Sequence, residues 1–210
     1  MAQNDLGVNV RFVTFPVLLS TEPVELYLGK GESVEIQLPT NSLSKPYRVN
    51  NVSACALGKS GMDEEGNPKF DIYGQTPLLS SREQIILVTL KGREPSEGLE
   101  LTAFDSSRKG FNGGKYLLMN ASKADIAGNL GASKFALRPN QHMLLAPKAS
   151  EEKNNRKYLY TKFFFRSGET TRPFYTSTWR FSEQARCMVF FHHDPHSKQL
   201  RTHTIRNYLE

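Results

Sequence analysis

The chain has 210 residues, of which 38% are hydrophobic and 23% charged, and its mean hydropathy is −0.49. This composition is typical of a globular protein and excludes a collagen-like chain, a coiled coil and a disordered tail. The net charge of +6 is unevenly distributed: residues 1–104 carry 9 Lys and Arg against 13 Asp and Glu, a balance of −4, whereas residues 105–210 carry 18 against 8, a balance of +10.

The sequence predicts strands along its whole length and almost no helix. Strand-like segments alternate apolar with polar residues or are short apolar runs, with Gly, Pro, Asn or Ser between them. They include residues 8–13, 33–38, 84–90 and 99–103. The one helical turn expected is Ser122–Gly128, where Ser122 could cap the first turn. Many short strands at regular spacing predict an all-β fold, a sandwich or a barrel.

Three blocks recur in the same order in the two halves, which predicts an internal duplication. Residues 73–89 align without gaps on residues 175–191 at an offset of 102, with Tyr, Thr and Ser coinciding. Two further blocks pair residues 28–38 with 137–147, and residues 11–15 with 115–119. Halves of about 100 residues have the size of an antiparallel β-sandwich of about seven strands each.

The predicted organisation is therefore two tandem β-sandwich domains. An acidic N-terminal sandwich spans residues 1–104 and a basic C-terminal sandwich spans residues 115–210. Residues 105–114, rich in Ser, Gly, Asn and charge, are expected to form the linker.

Rings and cations alternate in two segments of the basic half, residues 157–166 and 172–180. This combination can stack on sugars or bases while it neutralises anionic groups. In a strand, Tyr158, Tyr160 and Lys162 share one face, so some of the remaining rings belong to the core. The candidate binding residues are Arg156, Lys157, Tyr158, Tyr160, Lys162, Arg166, Arg172, Trp179 and Arg180. The alternative for these segments is a solvated surface, with Trp179 as a structural anchor.

A second candidate site is the turn His192–His196, which holds three imidazoles and a carboxylate within five positions. Imidazole and carboxylate ligands suit zinc or copper. Because adjacent strand residues point to opposite faces, His193, Asp194 and His196 are the candidate metal ligands. The alternative is an ordinary polar turn.

Catalytic motifs are missing from the sequence, which has no G-x-S-x-G, H-E-x-x-H, P-loop or dinucleotide fingerprint. The two cysteines, Cys55 and Cys187, have no metal-ligand spacing and are expected to be buried thiols, although one disulfide stays open. We expect a non-enzymatic protein without a cofactor.

The turn at Leu137–Gln141 and the Thr-Pro or Thr-x-Trp step before each long apolar strand resemble uncharacterised exported bacterial β-sandwich proteins. The resemblance covers most of the chain and implies tandem sandwiches of immunoglobulin-like or cupredoxin-like fold, without any catalytic residue. A start with Ala2-Gln3 is what a cleaved exported protein with an added Met would have. We therefore expect a periplasmic or extracellular protein whose signal peptide is absent from this sequence, while a cytoplasmic location stays open.

The expected function is binding or scaffolding. The basic half would engage an anionic polysaccharide or an envelope component. The opposite charges of the halves also allow head-to-tail self-association. Nucleic acid is unlikely as a partner, because no recognition module is present and the first half is acidic. No stretch is long and apolar enough for a transmembrane segment.

Overall fold

The computed structural model describes residues 7–16, 22–50, 52–107, 109–153, 156–194 and 196–209. Ala2-Gln3, Arg108 in the expected linker and Pro195 in the His192–His196 turn lie outside these residues. The chain divides into two compact units, residues 1–110 and 111–210. The division falls within the stretch 105–114 that the sequence marks as a linker.

The described residues of the first unit form eight strands in two sheets and one short 3-10 turn, Pro95–Glu97. Its strands are β1 (Val8–Thr14), β2 (Val24–Gly29), β3 (Glu32–Ile36), β4 (Tyr47–Val49), β5 (Ala54–Met62), β6 (Pro68–Pro77), β7 (Glu83–Leu90) and β8 (Leu99–Asp105). One sheet has the order β4-β1-β7-β8 and the other β3-β2-β5-β6.

In the second unit, the part of the chain that the structure describes forms nine strands, also in two sheets. They are β9 (Tyr116–Asn120), β10 (Ile126–Leu130), β11 (Ser133–Leu137), β12 (His142–Leu145), β13 (Glu151–Lys153), β14 (Arg156–Ser167), β15 (Thr170–Arg180), β16 (Ala185–His193) and β17 (Leu200–Tyr208). One sheet has the order β12-β9-β16-β17, and the other the order β11-β10-β14-β13 with β15 also paired to β14.

The two units repeat one topology, with β13 as an addition in the second. In each unit the first and the seventh equivalent strands pair in parallel, β1 with β7 and β9 with β16, and all other pairs are antiparallel. The all-β fold of two tandem, duplicated sandwiches is therefore confirmed. The described residues form eight strands in the first unit and nine in the second, where about seven each were expected, and one pair in each unit is parallel among otherwise antiparallel pairs.

The strand register moves the repeat alignment by one residue. A bulge follows the pair Leu57–Gly74 in the first unit and the pair Phe163–Tyr175 in the second. Gly74 is therefore equivalent to Tyr175, and the offset of β15 from β6 is 175 − 74 = 101 rather than 102. A shift of one residue exchanges the two faces of a strand. Tyr73 and Tyr175 are therefore identical by coincidence and not equivalent in position.

A second part of the repeat alignment is also wrong. The turn after Leu28 joins β2 to β3, whereas the turn after Leu137 joins β11 to β12. The counterpart of the first turn is Gly131-Ala132, between β10 and β11, where Gly131 has a φ of 63°. Glycine adopts this left-handed conformation without steric cost, so Gly131 indicates the position of the turn more reliably than the residues beside it.

Each unit has its own hydrophobic cluster. Phe12, Leu26, Leu57 and Ile86 are among the fully buried residues of the first cluster. The second is rich in rings, which include Tyr116, Phe135, Phe163 and Phe191. Cys55 lies in the first cluster and Cys187 in the second, and both are free thiols, so the disulfide left open by the sequence is not formed.

The helical turn expected at Ser122–Gly128 is absent, because β10 begins at Ile126. The buried Asn120 carboxamide organises this segment instead. Its Oδ1 accepts hydrogen bonds from the backbone N–H and the hydroxyl of Ser122, and its Nδ2 donates to the Ala124 carbonyl at 2.8 Å. Side chains that bond the nearby backbone in this way compete with helix formation.

Candidate functional site

Strand β14 separates the candidate residues into a buried and an exposed face. Leu159, Thr161 and Phe163 are buried, whereas Tyr160 and Lys162 are exposed. The alternation inferred from the sequence is thus present. The outward side chains of the five-stranded sheet that contains β14 form the surface described below as the basic face.

One row of side chains crosses the basic face from strand to strand. Lys134 on β11 pairs with Asn129 on β10, Asn129 pairs with Lys162 on β14, and Lys162 pairs with Thr176 on β15. All cations on the basic face are exposed: Lys134, Lys153, Arg156, Lys162, Arg166 and Arg180. Outward residues on one strand lie about 7 Å apart and neighbouring strands lie about 5 Å apart, so these cations form one positively charged surface.

Aromatic rings lie between the cations. The Lys162 Nζ is 5.2 Å from the centre of the Phe164 ring, a cation–π distance. The Tyr160 hydroxyl donates a hydrogen bond to the Glu151 carboxylate, which raises the pKa of Tyr160. This bond also gives Glu151, a carboxylate on the basic face, a partner within the same sheet.

The structure places six of the nine candidate binding residues on the basic face and three elsewhere. The six are Arg156, Tyr158, Tyr160, Lys162, Arg166 and Arg180. Sequence reasoning missed Lys134 and Lys153, because only the pairing of β11 and β13 with their neighbours brings them to this surface.

Lys157, Arg172 and Trp179 are the three exceptions. The Lys157 Nζ forms an ion pair at 2.6 Å with Glu183 Oε1, which raises the pKa of Lys157. Arg172 pairs with Phe165, whose side chain packs on the core, so Arg172 lies in the inward register at the end of the sheet.

Trp179 belongs to the core and not to the basic face. It packs against the second cluster, stacks on Tyr116 with ring centres 6.2 Å apart, and donates its indole N–H to the Tyr175 hydroxyl at 2.8 Å. Trp179 is therefore a structural anchor, which was the alternative that the sequence left open for this residue. Successive side chains on β15 point to opposite faces of the sheet, and the two neighbours of Trp179, Thr178 and Arg180, point outward, so Trp179 points into the core.

The equivalent row of the first unit is uncharged, and the row next to it is acidic. Both units have a bulge at the same point of the equivalent strand pair, between Leu57 and Gly58 in the first unit and between Phe163 and Phe164 in the second. With these bulges aligned, the residues in the positions of Lys134, Asn129, Lys162 and Thr176 are Ser33, Tyr27, Ala56 and Gln75. The next row of the same sheet contains Glu35, which pairs with Glu25. The Glu25 carboxylate accepts hydrogen bonds from the hydroxyls of Ser33 at 2.5 Å and Ser60 at 2.6 Å. These bonds lower the pKa of Glu25 and keep it ionised.

His192 and His193 end strand β16, and Asp194 and His196 lie in the connection from β16 to β17. Asp194 Oδ1 accepts the backbone N–H groups of His196 at 2.9 Å and Ser197 at 2.7 Å, and these bonds lower the pKa of Asp194. The carboxylate thus closes the turn. In the part of the chain that the structure describes, no three His, Cys, Asp or Glu side chains are grouped so that they could hold a metal ion.

Comparison with known families and with curated proteins gives no match, so the chain's own residues carry the functional argument. Among the described residues, no helix is long and apolar enough to cross a membrane.

Proposed function

We propose that this protein is a non-enzymatic, exported binding protein whose second unit holds an anionic polysaccharide on its basic face. The observation that carries the proposal is the row Lys134–Asn129–Lys162–Thr176. The residues at the equivalent positions of the first unit, Ser33, Tyr27, Ala56 and Gln75, are uncharged. The two units share a topology, so the cations are a property of this face and not of the fold.

The dimensions of the basic face suit a polymer. Strand β14 has 12 residues and is therefore about 40 Å long. Its outward cations, Arg156, Lys162 and Arg166, are spread over most of that length. A chain with repeated negative charges gains from several such contacts at once, which a single small anion cannot do.

The other outward groups favour a hydroxyl-rich polymer over a nucleic acid. Strand β15 presents the exposed hydroxyl side chains Thr171, Thr176 and Thr178, which can donate to and accept from sugar hydroxyls. The carboxylates of Glu151 and Asp125 also lie on this face, where they can accept hydrogen bonds from sugar hydroxyls, whereas the phosphate diesters of a nucleic acid have no hydroxyl to donate.

The test compares binding of the full chain to polygalacturonate, to neutral dextran and to single-stranded DNA, by titration calorimetry at about 50 and about 200 mM salt. We expect binding to polygalacturonate that weakens steeply with salt, and none to dextran. Lys134→Glu with Lys162→Glu should weaken binding about tenfold or more at low salt. The control is Lys91→Glu, which changes charge by the same sign on the first unit.

Three results would overturn the proposal: no binding to polygalacturonate, binding that salt does not change, or equal losses for the double variant and for Lys91→Glu. Tighter binding of DNA than of polygalacturonate would assign the basic face to nucleic acid instead.

Head-to-tail self-association is the second candidate, and the ionised Glu25–Glu35 row favours it. This row is complementary in charge to Lys134 and Lys162 of a second copy. Sedimentation at low salt should then reveal dimers or longer assemblies that dissociate in Glu35→Lys. A monomer at all concentrations would remove this candidate.

A further inference from the structure

A depression of about 340 Å³ lies at one end of the basic face. Its lining includes Ala127 and Ala136, which pair across β10 and β11, and Phe164, which pairs with Ala127 across β10 and β14. Arg138 and Arg166 also line it. The volume is within the range of sites that hold small molecules.

The local sequence explains why the surface is recessed here. The row Ala136–Ala127 has only methyl side chains, and the rows on both sides have long ones, with Lys134 on one side and Arg138 on the other. Two alanines between rows of long side chains leave a space with an apolar floor. Ala136 is exposed, and a polar residue at this position on a solvated sheet face would cost no stability.

The groups around the floor match one residue of a carboxylated sugar. Guanidinium groups such as those of Arg138 and Arg166 bind carboxylates in a planar, bidentate manner. Phe164 and the two alanines provide an apolar surface for a sugar ring. Asp125 and Gln141, which also line the depression, supply an acceptor and an amide for ring hydroxyls.

The depression is continuous with the cations of the basic face. Phe164 lines it, and the Lys162 Nζ lies 5.2 Å from the centre of that ring. A polymer that follows Lys134 and Lys162 therefore reaches the depression one row further on, about 7 Å away.

We propose that this depression binds one uronate residue of the polysaccharide and so makes the basic face selective for carboxylated sugars. This inference rests on the proposed function. The long-range charge of the face attracts the polymer, and the depression recognises one of its units.

The experiment uses galacturonate trimer, polygalacturonate and dextran sulfate as probes of the full chain. Ala127→Leu fills the depression without a change of charge. Its matched control is Thr176→Leu, which adds a bulky apolar group to the same face outside the depression. Because Ala127→Leu could disturb the sheet, Arg138→Gln is a second variant that alters only the rim.

We expect the trimer to bind to the native chain and to Thr176→Leu, and to bind about tenfold or more weakly to Ala127→Leu and to Arg138→Gln. Both depression variants should still bind dextran sulfate in a salt-dependent manner with near-native affinity. If polygalacturonate binds but the trimer binds Ala127→Leu and Arg138→Gln as it binds the native chain, the inference fails and the proposed function stands. If no polyanion binds the native chain, the proposed function itself fails.

Discussion

Phe163→Ala should lower the unfolding temperature of the second unit and leave that of the first unit unchanged. Phe163 is fully buried at the centre of the second cluster. Five aromatic rings surround it at centre-to-centre distances of 5.1–6.3 Å: Phe135, Phe174, Tyr175, Trp179 and Phe191. Among the described residues, all members of that cluster lie within residues 111–210.

The magnitude follows from the cavity and the lost ring contacts. Removal of a buried Phe side chain costs about 3–5 kcal/mol of unfolding free energy, and favourable ring pairs add to this, so we expect a value near about 5 kcal/mol. For a unit of about 100 residues, each kcal/mol lowers the midpoint by about 4–8 °C. The second unit should therefore melt about 20 °C or more below its native midpoint.

The assay uses Trp179, the one tryptophan of the chain, as a reporter of the second unit. Its fluorescence should follow the destabilised transition, while far-UV circular dichroism should also record a later transition from the first unit. The matched control is Phe12→Ala, which removes a fully buried ring of the first cluster whose ring partner is Tyr47 at 5.8 Å. It should leave the Trp179 transition in place. A single transition that both variants move equally would refute the assignment of separate cores.

Two further predictions concern thiols and pH. Cys55 and Cys187 should both resist a thiol reagent in the native state, because both are buried and burial raises the pKa of Cys55 to about 12. In denaturant without reductant, both thiols should react. Fewer than two reactive thiols in denaturant would contradict the assignment of both cysteines as free thiols. Burial lowers the pKa of His192 below its usual value of 6.5, so the unfolded chain binds a proton there more readily than the folded one. The stability that the neutral His192 side chain contributes is complete above about pH 6.5 and is lost as pH falls towards the folded-state pKa. In a melting series from pH 8 to pH 5 followed by Trp179 fluorescence, the melting temperature should therefore change less with pH in His192→Gln than in the native chain. Identical series would refute this sign.

The fold could be predicted in outline because its signals are local. The strands near residues 8–13, 84–90 and 99–103 appear as β1, β7 and β8, since a period of two and flanking turn residues are written in each segment. The expected helix at Ser122–Gly128 failed for a non-local reason. The carboxamide of Asn120 also donates to the carbonyl of Leu137 on β11, a contact that no window around Ser122 contains.

The candidate site could be predicted only in part, because it is defined by strand pairing. Tyr160 and Lys162 lie on one strand, so their shared face follows from alternation alone. Lys134 joins Lys162 only through β10, which pairs with both strands. Trp179 could be assigned to the core only once the register between β14 and β15 was known, since a register shift of one residue would move its side chain from the core to the surface.

The repeat explains why the charges of the two units diverged while their cores did not. A change on the inward side of a strand, such as at Phe163, leaves a cavity and costs several kcal/mol. A change on the outward side, such as Ser33 against Lys134 at the equivalent position, costs little stability, because neither side chain is buried. A duplicated sandwich can therefore acquire a charged surface in one copy without loss of its fold. The charge difference between Ser33 and Lys134 is for this reason better evidence about binding than about stability.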